Sequence, residues 1–300
     1  MTQALALSIV LQFGCAKQRL EKMKPPTAQE LFDRYDNLTS PDGTADWNNI
    51  YMSGKMEMPL MNASFPLESW VIKGSGTQTT YEIPNIGIGG QGYNLQYAWA
   101  LDPVKGDRLL EGAEFAAAKS EYDSLLVDSF ADLYRDSVVV KYDTVEEQNV
   151  WIVEVIEKAT DKPSKLFFSI DTGLLIAQNK EIPSGKGSIK SKMYFEEYQS
   201  VEGTNMLMPV KIRVKVMGMT QYMIFESIKI DADNPPKIEP PESILEFIDS
   251  DTDSEKSSDS NNQELGTVEE ENTVEETGSE DINSEQEKVE YEKKEEVQEE

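Results

Sequence analysis

Two periods divide the chain. Near the N-terminus the apolar positions Ala28, Leu31, Tyr35 and Leu38 recur at helical spacing. Thr27, followed three residues later by Glu30, supplies a capping-box start, and the pattern stops near Asn37–Ser40, before Pro41-Asp42-Gly43. One amphipathic helix is expected there. After it the period changes to two. Ile50, Met52, Met56 and Met58 alternate with Tyr51, Ser53, Lys55 and Glu57. Tyr93, Leu95, Tyr97, Trp99 and Leu101 form a second alternating face. Trp151, Val153 and Val155 form another, as do Leu166, Phe168 and Ile170. Val210, Ile212, Val214 and Val216 stand against Lys211, Arg213 and Lys215. Each such run reads as a strand with one buried face, as in an antiparallel sheet.

Weaker runs at 67–73, 77–83, 138–142, 173–179, 189–198 and 222–230 bring the expectation to about eleven strands, separated by Gly-, Pro- and Asn-rich turns. A helical stretch at 112–134, carrying Phe115, Leu125, Leu126, Phe130 and Leu133, interrupts them. The order gives an α+β class: a long, curved antiparallel sheet with helices covering its concave face.

The ends follow other rules. Ala4 to Phe13 is an apolar run of signal h-region length, too short to span a membrane as a helix, and it stops at Gly14-Cys15. This is similar to a lipoprotein signal, with Cys15 as the candidate lipidation site. Gln12 and Phe13 depart from that motif, and no Lys or Arg precedes the run. Residues 16–26 read as a polar tether ending in Pro25-Pro26. The folded body is then 27–248. From Asp249 to Glu300 there are 21 acidic and 4 basic residues and almost no large apolar ones. Such a segment cannot bury enough surface to offset ordering entropy, and a disordered acidic tail is expected.

Composition narrows the chemistry. With no histidine there is no His general base and no Ser-His-Asp triad, and a single cysteine excludes an intramolecular disulfide and Cys-rich metal sites. A net charge of −28 without a basic stripe argues against nucleic acid. No metal and no cofactor are expected. Gly87, Gly89 and Gly92 fit G-x-G-x-x-G, but no helix follows, so a flexible glycine loop is the better reading. Asp171-Thr172-Gly173 has the aspartic-protease form in one copy, whereas that chemistry needs two carboxylates; a hairpin turn accounts for it. A carboxylate hydrolase around Asp171 is a third, minor hypothesis. Asp249, Asp251 and Asp253 begin like a calcium loop, but Ser254 and Ser260 replace its Gly and closing Glu. Met52, Met56, Met58, Met61, Met193, Met206, Met208, Met217, Met219 and Met223 cluster in strands and turns. They suit either a loosely packed core or an adaptable binding surface.

The segment order resembles the outer-membrane lipoprotein-sorting family, the LolA and LolB-like fold. The stretches that carry it are 92–99 followed by Asp102-Pro103-Val104-Lys105-Gly106, then Leu109-Leu110-Glu111-Gly112, then 167–175, 198–203 before Met208-Pro209, and 228–235. The resemblance implies a half-barrel of about eleven antiparallel strands with a helical lid over a hydrophobic cavity. It also implies a non-enzymatic, periplasm-facing envelope protein, outer-membrane-anchored if Cys15 is modified, that binds lipid or the acyl chains of lipoproteins, as a monomer. The residues expected to line such a cavity are Met52, Met56, Tyr97, Trp99, Trp151, Val153, Phe168, Val214 and Phe225. The alternative is an envelope-stress sensor or scaffold with a self-filled cavity and an acidic docking tail.

Overall fold

The computed structural model describes residues 24–41, 47–184 and 187–245. The signal-like segment with Cys15, most of the tether, and the Asp249–Glu300 tail with its calcium-like aspartates lie outside the described residues.

Helix α1 (Ala28–Thr39) opens with the expected capping box. The Glu30 carboxylate accepts from the Thr27 N–H at 2.7 Å, and the Glu30 N–H donates to Thr27 Oγ1 at 3.2 Å. Its buried face is Ala28, Leu31 and Phe32, with Leu38 exposed, so the apolar stripe is rotated toward Phe32 from the one read in the sequence.

The strands are β1 (Asn49–Met58), β2 (Ala63–Ile72), β3 (Gly76–Ile83), β4 (Gly87–Tyr93), β5 (Ala98–Leu101) and β6 (Arg108–Leu110). Helix α2 (Gly112–Asp123) and a 3-10 turn (Phe130–Leu133) follow. Then come β7 (Tyr134–Val145), β8 (Gln148–Glu157), β9 (Pro163–Ser169), β10 (Leu175–Ser184), β11 (Gly187–Ser200), β12 (Leu207–Val216) and β13 (Met219–Ile230). All thirteen form one antiparallel sheet in the order β6-β5-β4-β3-β2-β1-β13-β12-β11-β10-β9-β8-β7. Two meanders, β1–β6 and β7–β13, are thus joined where β1 pairs with β13, Ile50 opposite Ile230.

Thirteen strands replace the expected eleven because β4 and β6 were not legible. The segment 87–93 is a strand and not a loop. Its glycines make room for neighbouring rings: a Cβ on Gly92 would lie 2.2 Å from the Trp99 ring, and one on Gly89 would lie 2.5 Å from that of Tyr81. The alternating run 93–101 is broken by a turn, in which Asn94 Oδ1 accepts from the Gln96 and Tyr97 amides and Leu95 takes φ +75°. β6 has only three residues, too few to show a period.

The sheet is curved, and one side chain proves it. β4 and β10 stand seven strand spacings apart, roughly 34 Å in a flat sheet. Yet the Glu121 carboxylate of α2 accepts from Gln91 Nε2 on β4 at 3.0 Å and lies 3.5 Å from Lys180 Nζ on β10. No single carboxylate can reach both unless the two arms curl toward each other. The residues 111–133 that contain α2 also run from edge strand β6 to the opposite edge strand β7.

Candidate functional site

Two clusters pack on the side of the sheet that carries the helices. On the β7–β10 arm, α1 sets Phe32 against Tyr134, Val153, Val155, Leu166, Phe168 and Leu175. Phe32, Tyr35, Phe130 and Phe168 form a ring network with centroids 4.9–6.2 Å apart. Around it Tyr134 is buried and Tyr35 and Tyr198 are half-buried: their withdrawal from water pushes the Tyr35 phenol up to about 12, and raises Tyr134 and Tyr198 as well. Asp36 accepts from the Phe130 N–H and Ser129 Oγ, tying α1 to the 3-10 turn, and burial raises its carboxyl. Arg34 clasps the β9–β10 turn, donating to the Ile170 and Asp171 carbonyls at 3.2 and 3.0 Å.

That clasp accounts for Asp171-Thr172-Gly173. Gly173 has φ +83°, and a Cβ there would meet Arg34 Nε at 2.3 Å. The Thr172 N–H donates to Ser169 Oγ, and the Leu174 N–H to Thr172 Oγ1. These residues make a turn and a seat for α1.

On the other arm Ile50, Met52, Met56, Leu67, Val71, Tyr93, Ala98 and Phe225 pack with Tyr122 and Phe115 of α2. The Tyr122 hydroxyl donates to the Ile72 carbonyl at 3.0 Å and accepts from the Gly74 N–H at 2.8 Å, fixing the helix to the β2–β3 turn. Met58, Met206, Met208 and Met223 border this cluster only half-buried.

Of the residues chosen from the sequence, Met52, Met56 and Phe225 fall in the α2-side cluster, and Trp151, Val153 and Phe168 in the α1-side cluster. Val214 is buried on β12, in register with Met193 and Gln221. Tyr97 and Trp99 lie in a separate cluster, where Trp99 is covered by Ile238 and Ile244 of the segment after β13. The opposite face of β8–β11 is also buried, through Val150, Ile152, Phe167, Ile176 and Tyr194. The expectation of one buried face per strand therefore fails there. Lysine and arginine stems replace solvent on that face: Lys192 lies over the Phe167 and Tyr194 rings, and the Arg213 guanidinium sits 3.9 Å from the Tyr194 centroid.

A cavity of about 1050 Å³ opens along β7–β13, at the end of the sheet that holds the β8–β9 and β12–β13 turns. Val155, Ile156 and Pro163 line it, with Val216, Met217 and Met219 of the β12–β13 hairpin, and five lysines (Lys165, Lys180, Lys190, Lys192 and Lys215) with Asp136, Glu154 and Glu181 make the rest of its wall amphipathic. It lies at the upper end of the range of small-molecule sites. None of the nine sequence-chosen residues lines it. Its lining comes in threes from successive strands, a juxtaposition that register creates and no local motif announces. The one available signal was the methionine cluster, since Met217 and Met219 belong to it.

Among the described residues, no group of three or more Cys, Asp or Glu side chains is placed to hold a metal ion, and no helix is long and apolar enough to cross a membrane.

No protein-family model matches the sequence, and no curated protein matches it. Among solved structures, the chain is similar to a LolA superfamily protein from Nitrosomonas europaea (13% identity, 73% of this chain and 100% of that one, TM-score 0.46). It is also similar to a DUF1329 family protein from Desulfovibrio piger (12% identity, 69% and 94%, TM-score 0.45). A third is an outer membrane lipoprotein-sorting protein domain from Vibrio parahaemolyticus (13% identity, 69% and 92%, TM-score 0.46). The solved structures that this chain is similar to thus include LolA superfamily and lipoprotein-sorting proteins, the group its segment order resembles.

Proposed function

We propose that this protein is a non-enzymatic binder of lipid or of lipoprotein acyl chains, working in the bacterial envelope. The observation that carries the reading is the cavity of about 1050 Å³, walled by Val155, Ile156, Val216 and Met219 and set in a sheet whose arms curl toward each other. Burial is the mechanism: at ~0.8 kcal/mol per CH₂, an acyl chain of a dozen methylenes gains around 10 kcal/mol before entropy losses.

In this reading α2 and the 3-10 turn cover the concave face. The cavity-lining Val155, Ile156, Val216 and Met219 are the chain-contacting candidates, while Met52, Met56, Phe225, Trp151, Val153, Phe168 and Val214, which lie outside the cavity, serve as the packing that shapes the sheet around it. Tyr97 and Trp99 serve as packing for the segment after β13. Cys15 carries the anchor, the body faces the periplasm, and the chain acts as a monomer in lipoprotein sorting to the outer membrane.

A second reading has one observation in its favour. Phe32, Val153, Leu166 and Phe168 close the α1-side cluster to 0–1% exposure, as in a self-filled sensor or scaffold that recruits partners through its acidic tail.

Native mass spectrometry of the full chain, with extraction of co-purifying lipid, separates the two. A stoichiometric acyl-chain adduct is expected. An apo mass that gains nothing from added phospholipid or acylated peptide overturns the binder and leaves the scaffold.

A further inference from the structure

The cavity wall is basic in an acidic protein. The chain carries 56 acidic residues against 28 basic ones, yet the wall sets five lysines against Asp136, Glu154 and Glu181. Register gathers them. Lys165 on β9, Asn179 on β10, Lys192 on β11 and Lys215 on β12 are successive cross-strand partners, so their side chains share one face of the sheet. Ile156 and Pro163 pair in the next row of that face, and Met217 follows two residues after Lys215.

That face is enclosed. Four strand spacings separate β8 from β12, roughly 19 Å in a flat sheet. Yet Glu146 of the β7–β8 turn meets Arg213 of β12 at 3.3 Å, so this arm curls toward the side away from the helices. The Arg213 guanidinium and the Lys192 and Lys215 ammonium groups crowd the Tyr194 ring, 3.9, 4.9 and 5.1 Å from its centroid.

The charges there are unevenly partnered. Glu196 meets Arg213 at 2.8 Å, Glu154 meets Lys165 at 2.7 Å, and Glu121 meets Lys180 at 3.5 Å. Lys215 reaches Glu146 only at 4.0 Å, and among the described residues no carboxylate stands that close to the Lys190 or Lys192 ammonium. Lys192 and Lys215 are directly opposite, a like-charge pairing that destabilises a sheet. Between Lys165 and Lys192, Asn179 Oδ1 is buried without a hydrogen-bond partner.

We propose that the missing partner is the headgroup of an anionic amphiphile: a phosphate or carboxylate seated between Lys192 and Lys215, its acyl chain running along Ile156, Pro163 and Met217. The inference rests on the acyl-chain reading of the cavity and adds the ligand's charge to it. The neighbours select the class. A free anion gains nothing from the apolar row, and a neutral lipid leaves two facing ammonium groups uncompensated. Both lysines lie over the Tyr194 ring, which holds their heads in place while their N–H donors stay available. A half-turn of the Asn179 amide replaces Oδ1 by the Nδ2 donors and gives the anion a further contact.

Isothermal titration calorimetry of the full chain tests this with one chain length and four headgroups, each below its micellar concentration. The ligands are dodecyl phosphate, dodecanoate, neutral monolauroylglycerol and dodecyltrimethylammonium, with inorganic phosphate as a chainless probe. The two anions are expected to bind one per protein and about tenfold tighter than monolauroylglycerol, with the cation weakest. The tighter of the two anions tells a phosphate-headed lipid from a fatty acid. Inorganic phosphate should bind far more weakly, because it forgoes burial of the chain. Lys192→Gln/Lys215→Gln should weaken both anions about tenfold and leave monolauroylglycerol within about twofold. Lys192→Arg/Lys215→Arg should keep the preference, which separates lost charge from a lost fold.

Equal affinity for all four headgroups, or a Gln variant that weakens monolauroylglycerol as much as dodecyl phosphate, overturns the headgroup site and leaves the apolar binder standing. Inorganic phosphate binding as tightly as dodecyl phosphate also overturns it, by making the ligand a free anion. So does displacement of dodecyl phosphate by a Glu-rich peptide, which assigns the lysines to a protein partner. If no dodecyl ligand binds, the acyl-chain reading itself falls and takes this inference with it.

Discussion

The two helix-bearing clusters solve the same packing problem with different materials. On the α1 side the sheet presents Phe168, Val153 and Leu166, all at 0% exposure, to a ring network anchored by Phe32. On the α2 side Met52 and Met56 reach 9% and 6%, and Met58, Met206, Met208 and Met223 stay half-buried. Branched and aromatic side chains lock into few rotamers and close the space between them. Unbranched thioethers re-pack cheaply around whatever adjoins them. The first region is built to hold a shape, the second to accommodate a change in it.

The comparison breaks most readily at its rigid end. Phe168→Ala should destabilise the protein by about 3–5 kcal/mol in chemical denaturation, because the rings around it cannot collapse into the void. A loss below about 1 kcal/mol would mean that this cluster is as soft as the other.

Next in size is Gly92→Ala. Its new Cβ would fall 2.2 Å from the Trp99 ring, which Ile238 and Ile244 hold from behind, and overpacking of this kind costs about 1–3 kcal/mol. Unchanged stability would show that Trp99 is free to move.

Removing the α1 cap by Thr27→Ala should cost about 1 kcal/mol, the usual value for a lost N-cap side chain. Met223→Leu, which keeps the volume on the adaptable side, should cost less still, under about 1 kcal/mol in chemical denaturation. A larger loss there would move the methionine side into the rigid class.

The smallest effect is a pH dependence with opposite signs at the two ends of α1. The Thr27 N–H and hydroxyl hold Glu30 below its ordinary value. Its contribution is present at neutral pH and is lost as pH falls through that depressed value. Burial raises Asp36, so its contribution is fully present below its ordinary value and declines as pH rises through the raised one. Stability against pH for Glu30→Gln and Asp36→Asn should therefore diverge from the parent in opposite directions. Parallel curves would refute the assignment.

Much of the architecture was legible because it is local. The capping box, the alternation of 210–216, the turn at Gly173 and the helical stretch after Glu111 follow from side-chain period and φ preference alone. What failed did so for stated reasons. β4 looked like a loop because glycine has no side chain with which to alternate, and it is a strand because two aromatic rings need that vacancy. Phe32 was passed over because the stripe was read one position off. Trp99 and Tyr97 alternate as convincingly as Trp151, but period two does not say which face meets which cover, and residues far along the chain, Ile238 and Ile244, took that face.

By itself the sequence determined the antiparallel strands, their turns and caps, the acidic balance and the lack of histidine chemistry, since each depends on residues within a few positions of one another. Only the tertiary structure decided that β1 closes on β13, that Glu121 meets both Gln91 and Lys180, and that three consecutive residues from each of several strands meet in one cavity. Strand order and curvature set those meetings. Both come from pairing across more than a hundred residues, which no local pattern encodes.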